Sequence, residues 1–191
     1  GHNIFRFDLP YIEERAKRHK VRLLLGRDGS AAKKRNSRIS IAERTINYTR
    51  FDTFGRHFVD TYFLTQLYDV SHRELEGYGL KHVAAHFGVA AEDRTYLDAS
   101  DIQTHWDADR KRLLKYALDD ARETRAISAI LSPSYFCQAQ LTPLKYQDCV
   151  TRGNATRIDA MLVAEYISRG RALPLPEPPR QFSGGLTKAF H

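Results

Sequence analysis

The stretch Gly1-His2-Asn3-Ile4-Phe5-Arg6-Phe7-Asp8-Leu9-Pro10-Tyr11 sets a short apolar run against an acidic residue and a proline. Ile4 to Phe7 reads as a brief strand. Asp8 stands at the head of the helix that follows, and Pro10 suits a first turn. The helix extends to about Lys20. A carboxylate at a strand-to-helix junction is held in one direction, so Asp8 is a candidate for chemistry. Taken alone, it is more simply a helix cap.

Working outward, residues 21–25 read as a strand, 26–30 as a turn and 31–37 as a basic loop. Arg38-Ile39-Ser40-Ile41-Ala42 alternates as a half-buried strand does, and residues 45–48 continue the pairing. Residues 56–61 form another short strand that leads into a helix over 62–68. A helix over 80–87 stops at Gly88, a suitable C-cap. The longest helix spans about 108–131, with Leu113, Leu114, Ala117, Leu118, Ala121, Ile127 and Ile130 at helical spacing. Ser132-Pro133 ends it. Helices over 142–150 and 157–169 precede a proline-rich extended tail. The expected fold class is α/β, with strands in front that make no complete sheet and helices behind. The organisation is a domain over 1–135, a helical segment over 136–172 and a linker over 173–191.

The chain has 191 residues, 42% of them hydrophobic and 28% charged, as in an ordinary globular protein. No run approaches the roughly 20 apolar residues of a membrane span, and no secretory signal opens the chain. A cytoplasmic, nucleoid-associated location follows as the expectation. Two cysteines, Cys137 and Cys149, are too few for a disulfide framework or a thiolate zinc site, and both read as buried. The net charge of +7 favours polyanions. Part of the excess lies between Arg15 and Arg38, which reads equally well as a solvated face or as a groove tracking a nucleic acid strand.

Tyr116 and Asp120 share a face of the long helix at i and i+4. A tyrosine and a carboxylate so placed can orient a water and hold a metal. Two divalent ions about 3.5–4 Å apart between acidic side chains can cleave a phosphodiester, and hard oxygen donors select Mg²⁺ or Mn²⁺. Asp120 alone is otherwise a solvated helix residue. Asp119 is its rival for the role. His82 and His86 are four apart on a helix but lack a third ligand at sensible spacing. Asp60 is expected to cap the next helix, and Asn154 or Thr156 to cap the one over 157–169.

The first stretch resembles the second exonuclease motif of family B DNA polymerases, Asn-x(2–3)-Phe/Tyr-Asp. Tyr116-Ala117-Leu118-Asp119-Asp120 resembles the third, Tyr-x(3)-Asp. Residues 79–87 resemble the helix between them, and Phe182-Ser183-Gly184-Gly185 resembles the Tyr-x-Gly-Gly junction to the polymerase domain, with Phe in place of Tyr. The likeness is closest to bacterial-type members. It implies an RNase H-like exonuclease fold whose opening strands are missing and a proofreading 3′–5′ exonuclease region. Asp8 and Asp120 would bind two Mg²⁺ or Mn²⁺ ions, and Tyr116 would position the attacking water. Asn3, Phe5, Phe7, Phe182, Gly184 and Gly185 would contact DNA. The implied partners are a single-stranded 3′ end or primer-template and the remainder of a polymerase chain, with no membrane, in a monomer. The family's first motif, Asp-x-Glu, should precede Asn3 and the Asp-rich palm should follow Gly185. The resemblance therefore implies an internal fragment, weak or inactive by itself. The alternatives are a catalytically dead DNA-binding domain of a polymerase, or a stand-alone RNase H-like repair nuclease.

Overall fold

The computed structural model describes residues 1–175 and 177. Phe182, Gly184 and Gly185 lie outside the described residues.

The alternation around Ile39 and Ile41 produces a hairpin. Strand β1 (Lys33–Ile41) pairs antiparallel with β2 (Arg44–Asp52), Ile39 facing Ile46 and Ser37 facing Tyr48. Both strands run longer than their apolar residues alone mark. Ile39, Ile41, Tyr48 and Phe51 are buried, and in β1 the polar Arg38 and Ser40 alternate with the isoleucines and face outward, as period-2 geometry requires. Helix α1 (Asp8–Arg18) precedes the hairpin, and Leu9 is its buried residue. These side chains join Phe5 and Phe63 in one apolar cluster.

Helix α2 (Thr61–His72) follows, then α3 (Leu80–His86), α4 (Ile102–Ala108) and the long α5 (Arg110–Leu131). Val83, Ala84 and Ile127 form a second buried cluster where α3 meets α5. Helices α6 (Pro133–Leu141), α7 (Tyr146–Thr151) and α8 (Asn154–Ser168) complete the described part. No helix among the described residues is long and apolar enough to cross a membrane.

The hairpin is fastened to α7 by charge. Arg50, 3% exposed, pairs with Asp52 at 2.7 Å and with Asp148 of α7 at 2.8 Å. Its Nη1 also donates to the Thr151 hydroxyl. Gln147 adds a bond from its side-chain amide to the Phe51 carbonyl at 2.9 Å.

Several elements differ from expectation. Residues 21–25 form no strand, because no neighbouring strand pairs with them, and Val21 and Leu24 are exposed. Residues 56–61 contribute only one isolated bridge, between Thr53 and Arg56. Ile4 to Phe7 is a turn, with the Phe7 amide donating to the Asn3 carbonyl at 3.0 Å. Ser132-Pro133 ends α5 as expected, and Pro133 also opens α6, a helix for which no expectation stood. Helix α8 starts three residues early, and neither Asn154 nor Thr156 caps it; Gly153 is its N-cap. Cys149 is buried, but Cys137 is exposed.

Candidate active site

The turn before α1 owes its shape to a residue far along the chain. Asp60 is fully buried, and its carboxylate accepts from the amides of Asn3 at 2.6 Å, Phe5 at 3.3 Å and Tyr62 at 3.0 Å. It thus caps α2, as its position before that helix indicates, and also ties residues 3–5 to the cap. Burial pushes its carboxyl above the ordinary carboxylate range, while the three amides oppose that rise. Asn3 takes a left-handed backbone with φ of 62°, which asparagine tolerates better than most residues.

His2 adds a second tie. Its Nε2 donates to the Tyr78 carbonyl at 2.8 Å, and its Nδ1 lies 2.9 Å from the Thr61 hydroxyl. The Tyr78 carbonyl can only accept, which fixes the proton on Nε2. Burial lowers the pKa of the ring.

These ties place Asp8 at the first turn of α1, where a carboxylate gains from the helix dipole. Across from it stands α5. A cleft of about 570 Å³ lies between, lined by His2, Ile4, Asp8, Leu80, Asp120, Thr124 and Arg125 among others. Asp8 and Asp120, 112 positions apart in sequence, therefore share one cleft.

Asp119 and Asp120 take different surroundings. Asp119 is buried and accepts from the Thr95 amide at 3.1 Å. Asp120 is part-exposed and lines the cleft. Burial raises the Asp120 carboxyl, while Arg94 and a hydrogen bond from Tyr116 pull it down. The Tyr116 hydroxyl is raised by burial and by the nearby Asp120 charge. Tyr116 and Asp120 do share a face and do interact.

Arg94 is the site residue that sequence reasoning misses. Its side chain is 1% exposed. Nη2 donates to Asp120 at 2.7 Å and to Glu123 at 2.8 Å, and Nε also bonds Glu123. The guanidinium lies 4.7 Å from the ring centre of Tyr96 and 6.0 Å from that of Tyr116. One signal was available. Asp119, Glu123 and Ile127 are the buried residues of α5, at successive i+4 steps. Two acids on the buried stripe of a helix require a buried donor. The apolar residues expected to form that stripe do not all do so, since Leu114, Leu118 and Ile130 are exposed.

The expected DNA contacts separate. Phe5 is 1% exposed and stacks in the core against Phe63, so it cannot face a base without leaving the core; this corrects its expected role. Phe7 is 63% exposed and lies parallel to Tyr11, with ring centres 6.0 Å apart. Asn3 does not line the cleft; its Oδ1 is buried without a hydrogen-bond partner.

A divalent cation fits Asp8 and Asp120 in kind, since both offer hard oxygen donors. In number the fit is partial. Among the described residues no three His, Cys, Asp or Glu side chains group closely enough to hold an ion, and Asp120 already faces Arg94.

Residues 1–83 match the family model described as DNA polymerase family B, exonuclease domain. The DNA polymerase of Archaeoglobus fulgidus is 29% identical over 178 residues, covering 92% of this chain and 20% of the relative. The DNA polymerase delta catalytic subunit of Dictyostelium discoideum is 35% identical over 126 residues, covering 63% of this chain and 11% of that protein. The solved structure of the family B DNA polymerase from the hyperthermophilic archaeon Pyrobaculum calidifontis aligns with a TM-score of 0.69 at 26% identity, over 96% of this chain and 22% of that one. The chain thus spans about a fifth, or less, of the length of these relatives. The small sheet with its many helices is consistent with an incomplete RNase H-like fold. Residues 1–83 are thus similar to the exonuclease domain of the family B DNA polymerases, and the chain as a whole follows the fold of the corresponding part of a family B polymerase.

Proposed function

We propose that the cleft between α1 and α5 is the 3′–5′ proofreading exonuclease site of a family B DNA polymerase, acting on a single-stranded or mispaired 3′ end. The observation that carries this reading is the meeting of Asp8 and Asp120 in one cleft, inside a chain whose first 83 residues match the exonuclease domain. Asp8 and Asp120 would hold divalent metal, Mg²⁺ or Mn²⁺. Held there, such ions would supply the activation of a water and the stabilisation of the leaving oxygen of the terminal phosphodiester. Further donors would come from water, the substrate's phosphate oxygens or polypeptide beyond the described residues.

The chain's own residues prepare that chemistry. Arg94 fixes the direction of Asp120 and favours its ionised form against the opposing effect of burial. Tyr116, with its hydroxyl held protonated by burial and by Asp120, donates toward the carboxylate and orients a water beside it. Arg125, exposed at the cleft wall, offers a cation to the phosphate backbone. Phe7 and Tyr11 give a stacked ring surface beside Asp8 for an unpaired base.

A second reading follows from the ion pair between Arg94 and Asp120 and from the two-donor limit. In that reading the domain grips DNA without cleaving it. The test is digestion of a 5′-labelled single strand by the chain in Mn²⁺, followed over hours beside Asp8→Ala and Asp120→Ala. Shortening from the 3′ end that both substitutions stop supports the exonuclease. Shortening that survives both substitutions refutes it, and strand binding with no shortening selects the gripping role.

A further inference from the structure

Two cations lie over the same two aromatic rings, and their charges are disposed differently. Arg94 is buried, and its charge is engaged by Glu123 and Asp120. Lys81 is exposed on α3, with Nζ 5.4 Å from the ring centre of Tyr96 and 5.6 Å from that of Tyr116. Among the described residues Lys81 has no ion pair and no hydrogen bond through its ammonium. It acts on the carboxylates of Asp120 and Asp98 only through space, favouring the ionised form of each. Asp98 is already engaged by the amide and hydroxyl of Ser100, at 2.9 and 2.7 Å.

An exposed lysine ordinarily samples many rotamers, so its charge is smeared over the surface. Here two ring faces attract the ammonium and limit that sampling, yet they accept none of its three N–H donors. The neighbouring Leu80 lines the cleft that holds Asp8 and Asp120. Tyr96, 59% exposed, keeps a ring surface open beside the ammonium.

We infer that Lys81 is a phosphate-positioning residue, whose ammonium takes a backbone phosphate of a single-stranded nucleic acid with its 3′ end in the cleft. The inference rests on reading the cleft as a site for a strand end. Arg94 cannot serve this way without giving up Glu123, whereas Lys81 gives up nothing. The pairing is electrostatic and independent of sequence, and it holds the strand before any ion binds.

The experiment measures binding of a fluorescent oligothymidine of about ten nucleotides, within the site size of a single-strand groove. Fluorescence anisotropy is read in EDTA across a series of KCl concentrations, for the wild-type chain, Lys81→Ala and Lys81→Arg. Thermal melting shows that each is folded. Lys81→Ala is expected to weaken binding about three- to tenfold at low salt, and to reduce the slope of log K against log salt by about 0.7, one phosphate contact on a single strand. Lys81→Arg is expected to stay within about twofold, since it keeps the charge. Affinity and slope unchanged in Lys81→Ala, or no binding by the wild type, overturn the inference. The measurement needs no metal and no cleavage. A chain that binds through Lys81 but digests equally well without Asp8 and Asp120 would therefore cost the exonuclease assignment and leave the role of Lys81 standing.

Discussion

Arg94 Nη2 and Asp120 Oδ1 stand 2.7 Å apart, and the same guanidinium is gripped by Glu123 from the next turn of α5. The arginine comes from the segment after α3 and both carboxylates from α5, so one buried cation fixes the wall of the cleft. Glu123 is 3% exposed at its side chain and Asp120 is 32% exposed. Their dependence on Arg94 therefore differs.

Removing the cation strands a buried charge. Arg94→Met is expected to destabilise the fold by about 3–5 kcal/mol, because Glu123 loses its partner in a desolvated place. Asp120→Ala is expected to cost less than about 1 kcal/mol, since a part-exposed partner is re-solvated. Urea denaturation of both variants checks the contrast. Equal costs would mean that Glu123 finds another donor.

Asp60 gives stability a pH dependence. Its folded-state pKa lies above the ordinary value, with burial as the first cause. The folded state therefore binds the proton more tightly than the unfolded chain, and stability falls as pH rises through the folded pKa. Wild type is expected to lose stability relative to Asp60→Asn as pH climbs from about 4 toward neutrality, the ordinary carboxyl range being its lower bound. Asp60→Ala removes the cap and leaves the Asn3 and Phe5 amides without an acceptor, at an expected cost of about 2–4 kcal/mol. Guanidinium melts at a series of pH values read both effects. A pH profile shared by wild type and Asp60→Asn would contradict the first.

Two phenylalanines two positions apart should behave oppositely. Phe5→Ala empties a place in the core and is expected to cost about 3–5 kcal/mol. Phe7→Ala touches an exposed ring and is expected to stay within about 0.5 kcal/mol in stability. It should still weaken single-strand binding, by about 1–3 kcal/mol for one lost base stack. Thermal melting and anisotropy on the same two variants separate the core residue from the surface one.

The hairpin and Asp60 show how far the sequence was legible. Ile39 and Ile41 alternate with polar neighbours, and a half-buried strand needs only that local pattern. Asp60 before a helix announced its capping role for the same reason. The turn at residues 4–7 was not legible, because its amides are collected by Asp60 more than 50 positions later. Apolar content alone made it read as a strand. Residues 21–25 failed likewise, since β-propensity without a partner strand makes no sheet. In the candidate site, Asp8, Tyr116 and Asp120 were named from motif spacing, and the fold brings Asp8 and Asp120 to one cleft. Arg94 stood within Glu92-Asp93-Arg94, which reads as a solvated charge run. Its burial depends on two acids of α5 that only the folded chain brings to it.

The central claim is that Asp8 and Asp120 form one divalent-ion site, and Mn²⁺ titration watched by NMR tests it most directly. With a single-stranded oligonucleotide present, paramagnetic broadening is expected first at the amides around Asp8 and Asp120, and Asp8→Asn or Asp120→Asn should each remove it. Broadening centred on other carboxylates, such as Asp98 and Asp101, or unchanged in both variants, would contradict the claim.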